Sequence, residues 1–174
     1  LVMSLCKDPD LCAEVMLTAV ERLGVDAAII FSDLLVILEP MGIKVKFAAG
    51  EGPVLSPPIR QPADVDRLRE LESVEELGYV MEAVRKTRAG LDESLPLIGF
   101  AGAPFTVASY VVEGGPSGDY LLTKRLMLEA PEAWHRLLEI LVEATARYLN
   151  GQLAAGAQAV QIFDSWVGVL APDD

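Results

Sequence analysis

The sequence predicts an α/β protein with a parallel sheet, and two observations carry that prediction. Three short apolar runs without polar alternation, Asp26 to Phe31, Pro96 to Ala101 and Ala157 to Phe163, have the character of strands buried on both faces. Each run ends in polar or small residues, and helical stretches separate them, which is the order of β/α units joined by right-handed crossovers. With 174 residues, 52% of them hydrophobic, the chain has the apolar surface for one domain or part of one.

Each element has a local cause. Asp8 and Pro9 form an N-cap and first-turn proline, after which Leu11, Cys12, Val15, Met16, Ala19, Val20 and Leu23 recur at helical spacing up to Gly24. The first strand follows and ends at Ser32-Asp33. From Pro40 to Pro62 the chain is dense in Gly and Pro, with a β-like piece around Lys44 to Phe47, and reads as an excursion from the core. Ser73 can cap a second helix that places Val74, Leu77, Met81, Val84 and Leu91 on one face. The second strand runs into the turn Gly102-Ala103-Pro104. Beyond the glycine-rich Glu113 to Gly118, two helical stretches, roughly Asp119 to Glu129 and Pro131 to Ala155, close at Gly156. The third strand then delivers Asp164-Ser165-Trp166. The chain starts at Leu1 rather than Met and stops soon after that strand, so we expect it to be part of a longer domain.

Charge and residue usage exclude several function classes. Lys+Arg 14 against Asp+Glu 26 leaves a net charge of −12 with no basic run, a field that repels phosphate backbones and anionic lipid heads. Neither nucleic acid nor a membrane surface is expected as a partner. No apolar run approaches the roughly 20 residues of a membrane span, and the first residues lack the basic-plus-apolar pattern expected of a signal segment. Cys6 and Cys12 lack C-x-x-C spacing, and with the single histidine, His135, they are too few for a Cys/His zinc site. Both are expected as ordinary thiols in a reducing, cytoplasmic protein, and His135 as a surface residue on its helix.

Parallel β/α architectures gather their chemistry at the carboxyl ends of the strands. That singles out Ser32 and Asp33, the segment after Ala101 that includes Tyr110, and Asp164 and Ser165. On spacing alone Asp33 is either a helix cap or an acid facing a pocket, Asp164-Ser165 either helix-start chemistry or a site, and Tyr110 either packing or function. The Glu113 to Gly118 segment matches no phosphate-loop pattern and is expected to be a flexible loop.

Three strings, in order, resemble the uroporphyrinogen decarboxylase family of haem and chlorophyll biosynthesis: Ala27 to Asp33 (AAIIFSD), Pro96 to Thr106 (PLIGFAGAPFT) running on to Tyr110-Val111-Val112-Glu113-Gly114-Gly115, and Gly156 to Ser165 (GAQAVQIFDS). The resemblance implies a (β/α)8 TIM barrel, of which these residues would supply strands 2 to 4 as an open arc within a single decarboxylase domain spanning 1–174. It implies four acetate decarboxylations that convert uroporphyrinogen III to coproporphyrinogen III with no metal or organic cofactor. In the family's pattern Asp33 stabilises the protonated pyrrole ring and accepts pyrrole N–H bonds, Tyr110 hydrogen-bonds the substrate and orients the acid, and Ser165 contacts a substrate carboxylate. All three are then expected at one edge of the sheet. The family's arginine-bearing segment, M-R-Q-A-G-R-Y, and its C-terminal histidine are expected outside this chain, which alone would be inactive. A homodimer of the longer protein is left open. A barrel-sharing alternative, the corrinoid methyltransferases, uses zinc with His and Cys ligands; a truncated, non-catalytic product is the other.

Overall fold

The computed structural model describes residues 2–48, 50 and 52–172. A short helix α1 (Val2–Cys6), for which the sequence offered no signal, leads into α2 (Pro9–Leu23). The Asp8 carboxylate accepts from the N–H groups of Asp10 and Leu11, and Gly24 closes the helix with φ 60° and its N–H on the Val20 carbonyl. Strand β1 (Ala28–Ile29) follows, and after it come a hairpin of β2 (Lys44–Ala48) and β3 (Gly52–Ser56) and a short helix α3 (Pro62–Val65). Ser73 caps a 3-10 turn at Val74–Leu77, and α4 (Gly78–Gly90) continues from it. Then come β4 (Leu97–Gly102), α5 (Pro104–Glu113), α6 (Leu121–Glu129), α7 (Pro131–Ala155) and β5 (Ala159–Phe163).

β1, β4 and β5 form a three-stranded parallel sheet in the order β1-β4-β5. Ala28 and Ile29 are in register with Leu97 and Ile98, and Ile98 to Gly102 with Ala159 to Phe163. The three runs read as strands are therefore parallel neighbours, and the sheet has two free edges among the described residues. Helices α4 and α7 pack against β4, and α2 packs on α4. That layer buries Leu97, Val80, Val84, Leu137, Leu141 and Tyr148 in one apolar cluster.

The expectation of strands buried on both faces holds for β4 and fails for its neighbours. Ala28 and Ile30 are buried against the helices, whereas Ile29 is 36% exposed and every residue of β5 is exposed. A parallel strand is covered on both faces only where helices stand on one side and further strands or side-chain layers on the other. Around β1 and β5 the described residues supply one side. The face opposite the helices carries Ile29, Ile98, Phe100 and Phe163, with the Phe100 and Phe163 rings edge to face at 5.6 Å.

Three further readings are corrected. β1 is shorter than Asp26 to Phe31, because its ladder to β4 ends when Ile30 N–H bonds the Ile98 carbonyl. Leu11, Val15 and Leu23 of α2 are exposed, since the helix turns Cys12 and Ala13 to the core instead. The glycine-rich segment is pinned at several points: Glu113 Oε1 accepts from both Thr123 N–H and Thr123 Oγ1–H at 2.9 Å, Ser117 Oγ accepts from Tyr120 N–H, and Leu55 N–H bonds the Gly114 carbonyl.

Candidate active site

Asp33 and Ser165 follow the carboxyl ends of β1 and β5, and Tyr110 lies in the helix that follows β4. Asp33 lies just beyond β1, where the chain leaves the sheet. Its Oδ1 accepts from Leu35 N–H at 2.8 Å, closing an Asx turn into the 3-10 turn Val36–Leu38. The turn reading holds for one oxygen of this carboxylate, which the backbone uses, while Oδ2 carries no hydrogen bond among the described residues. Burial raises the pKa of Asp33 from its ordinary value, opposed by the Leu35 N–H. Beside it, Ser32 Oγ is 3.5 Å from the hydroxyl of the buried Tyr148 on α7.

Tyr110 sits in α5, the helix that follows β4, and is half-buried. Burial raises its phenol pKa; the nearby Trp166 indole N–H pulls the other way without reaching hydrogen-bond geometry, and the Asp33 carboxylate raises it further. The Tyr110 ring meets Trp166 edge to face at 6.0 Å, and Tyr120 packs on the same indole at 5.6 Å. Tyr120 is a non-glycine residue with φ 52°, a conformation that costs on the order of 1 kcal/mol and is held here under the Trp166 ring.

Ser165 lies in the bend after β5 and is exposed. The bend is tied to α5 through Thr106, which is fully buried: Thr106 Oγ1 donates to Asp164 Oδ1 at 2.7 Å and accepts from Trp166 N–H at 3.2 Å. Ala103 N–H adds a bond of 2.8 Å to the Phe163 carbonyl. Asp164 is therefore occupied structurally, while its neighbour Ser165 faces solvent. Thr106, Tyr120 and Trp166 were not given roles from the sequence, because the contacts that matter join segments distant in the chain.

The other candidates lie elsewhere. His135 is exposed on α7, and Cys6 and Cys12 are buried free thiols, as expected. A cleft of about 300 Å³ runs between Arg60, Val112, Leu122 and Arg125, away from the strand ends. Its Arg60 guanidinium donates to the last carbonyls of α5, Val112 and Glu113. No group of three or more metal-ligating side chains occurs among the described residues, nor any helix long and apolar enough to cross a membrane.

The family model for uroporphyrinogen decarboxylase (URO-D) matches residues 2–174. The chain belongs to the uroporphyrinogen decarboxylase family. Among curated relatives, uroporphyrinogen decarboxylase from Carboxydothermus hydrogenoformans is 55% identical over 99% of this chain and 49% of its own length. The enzyme of that name from Sorangium cellulosum is 57% identical, again over 99% of this chain and 49% of its own length. The chain thus spans about half the length of the curated relatives it matches. A methyltransferase from Methanosarcina mazei superposes with a TM-score of 0.73 at 22% identity, covering 96% of this chain and 49% of that one, a likeness of fold.

Proposed function

We propose that this chain is the part of a uroporphyrinogen decarboxylase that carries strands 2, 3 and 4 of a (β/α)8 barrel, here β1, β4 and β5, and that residues 1–174 belong to a single barrel domain. The observation that carries the reading is the Asp33 carboxylate at the end of β1, half-buried, with one oxygen bonded to Leu35 N–H and the other without a hydrogen bond among the described residues. It occurs in a chain more than half identical to enzymes of that name.

The chemistry so read needs an electron sink. Each acetate side chain of the tetrapyrrole loses its carboxylate as carbon dioxide, and the C–C bonding pair must be accepted by the ring. Protonation of a pyrrole carbon makes the ring cationic and able to accept it; a proton then reaches the methylene carbon, which becomes methyl, and the ring gives up its added proton. A fixed anion beside the pyrrole nitrogens stabilises the cation as it develops. Asp33 suits that task because partial burial takes solvent from its charge, so it gains more from meeting a cation than a fully hydrated carboxylate would. In this reading Tyr110 bonds the substrate and orients Asp33, and Ser165 donates to a substrate carboxylate. No resident metal or organic cofactor enters these steps.

A substrate with eight carboxylates also needs cations, which guanidinium groups meet best. The net charge of −12 and the strand ends described here do not supply them. We assign them to the half of the family length that this chain does not span. The test is anaerobic incubation of the full-length protein with uroporphyrinogen III. Formation of coproporphyrinogen III is expected; consumption of a corrinoid methyl donor in its place would favour the methyltransferase reading.

A further inference from the structure

Backbone groups along β4 face its two neighbours alternately. The Leu97 carbonyl accepts from Gln158 N–H on the β5 side, and the Ile98 carbonyl accepts from Ile30 N–H on the β1 side. Phe100 accordingly turns its N–H and C=O toward β1, but the β1 ladder ends at Ile30. Both groups are taken by Gln152 of α7. Phe100 N–H donates to Gln152 Oε1 at 2.9 Å, and Gln152 Nε2–H donates to the Phe100 carbonyl at 2.8 Å. Gln152 is fully buried. Gly99 admits it: a Cβ at that position would lie 2.5 Å from Gln152 Oε1. One turn earlier on the same face of α7, Tyr148 reaches Ser32.

We infer that Gln152 is a positioning residue for Asp33, its amide completing the β4 ladder where β1 departs so that Ser32 and Asp33 turn away from the sheet. The inference rests on the reading of Asp33 as the substrate-facing carboxylate. A primary amide presents a donor and an acceptor side by side, as a peptide edge does, and so satisfies both Phe100 groups at once. Without it, two buried backbone groups lose their partners, and the remaining source of such partners is the chain after Ile30. Drawing Phe31 to Asp33 along β4 would separate Ser32 from Tyr148 and open the turn in which Asp33 accepts from Leu35 N–H.

The Leu35 amide proton therefore reports on Asp33. In the full-length protein, Gln152→Leu and Gly99→Ala are each expected to speed hydrogen exchange at Leu35 by about tenfold or more, measured by NMR well below the melting temperature. Each is expected to lower kcat for uroporphyrinogen by about tenfold with KM within about twofold, the signature of a displaced transition-state contact. The double variant is expected to be no worse than Gln152→Leu, because Gly99 acts by admitting the amide. Unchanged Leu35 exchange in both single variants, or additive losses in the double, overturns the inference. Faster Leu35 exchange together with an Asp33→Asn variant of undiminished kcat would uphold the positioning and remove the catalytic reading of Asp33. Should Gln152→Leu not fold, Gly99→Ala alone carries the same two readouts.

Discussion

Thr106→Val removes two bonds and almost no volume, which makes it a clean probe of how the β5 exit is held. The hydroxyl donates to Asp164 Oδ1 at 2.7 Å and accepts from Trp166 N–H at 3.2 Å. A hydrogen bond to a charged group contributes about 1.5–3 kcal/mol and a neutral one about 1 kcal/mol. Asp164 is exposed and regains water when released, so its share lies at the low end. Valine has nearly the shape of threonine, and position 106 is fully buried, so no cavity adds to the loss. The sum is about 2.5 kcal/mol, to be read in the full-length protein. Urea unfolding should give that loss with an unchanged m-value. The native emission of Trp166 should also change, because its backbone anchor is gone. A loss below about 0.5 kcal/mol with unaltered native fluorescence would show that Thr106 does not hold the bend.

The thiol of Cys6 is raised to about 11, by burial first and then by the Asp33 and Cys12 charges, against an ordinary value of 9.0. The folded state keeps a proton that the unfolded state releases, so this group's contribution to stability is full below about pH 9 and is lost as pH rises through about 11. Thiol reagents at pH 8 should therefore leave native Cys6 unmodified; rapid native labelling would contradict its burial. The 174 residues expressed alone leave Val160, Ile162 and Phe163 exposed on a strand with a free edge, and should self-associate and lack decarboxylase activity. A monodisperse monomer forming coproporphyrinogen would contradict that.

Legibility in the sequence followed the range of the interaction. Asp8, Gly24, Ser73 and Gly156 mark element ends through bonds to their own neighbours, and Pro131 through its fixed φ, and these ends fell where the local chemistry puts them. The three apolar runs gave parallel pairing because a continuous run needs cover that a parallel sheet provides. What the sequence did not reveal depends on distant partners. β1 stops early because Gln152, some fifty residues beyond Phe100, takes the place of the next ladder bonds. β3 went unread because Gly52 and Pro53 look like loop residues until β2 pairs with them. α5 begins directly at Pro104, a proline at the first helical position that the string Gly102-Ala103-Pro104 disguises as a turn. At the candidate site, Asp33 and Tyr110 were legible as residues, whereas the ring of Trp166 between Tyr110 and Tyr120 was not.

The most direct measurement is the anaerobic turnover of uroporphyrinogen III by Asp33→Asn in the full-length protein. Asparagine keeps an acceptor for Leu35 N–H and removes the charge, so the turn persists and the pyrrole cation loses its counter-ion. Losing one preorganised electrostatic contact costs on the order of 3 kcal/mol, so kcat should fall about a hundredfold or more while KM changes far less. The raised pKa of Asp33 adds a second reading with its own sign. A carboxylate whose folded pKa is raised opposes folding once pH exceeds its unfolded value, so neutralising it should raise Tm at pH 7. A variant with slower turnover and a higher Tm is the expected result; a kcat within a fewfold of the parent would show that Asp33 is not the group that stabilises the cation.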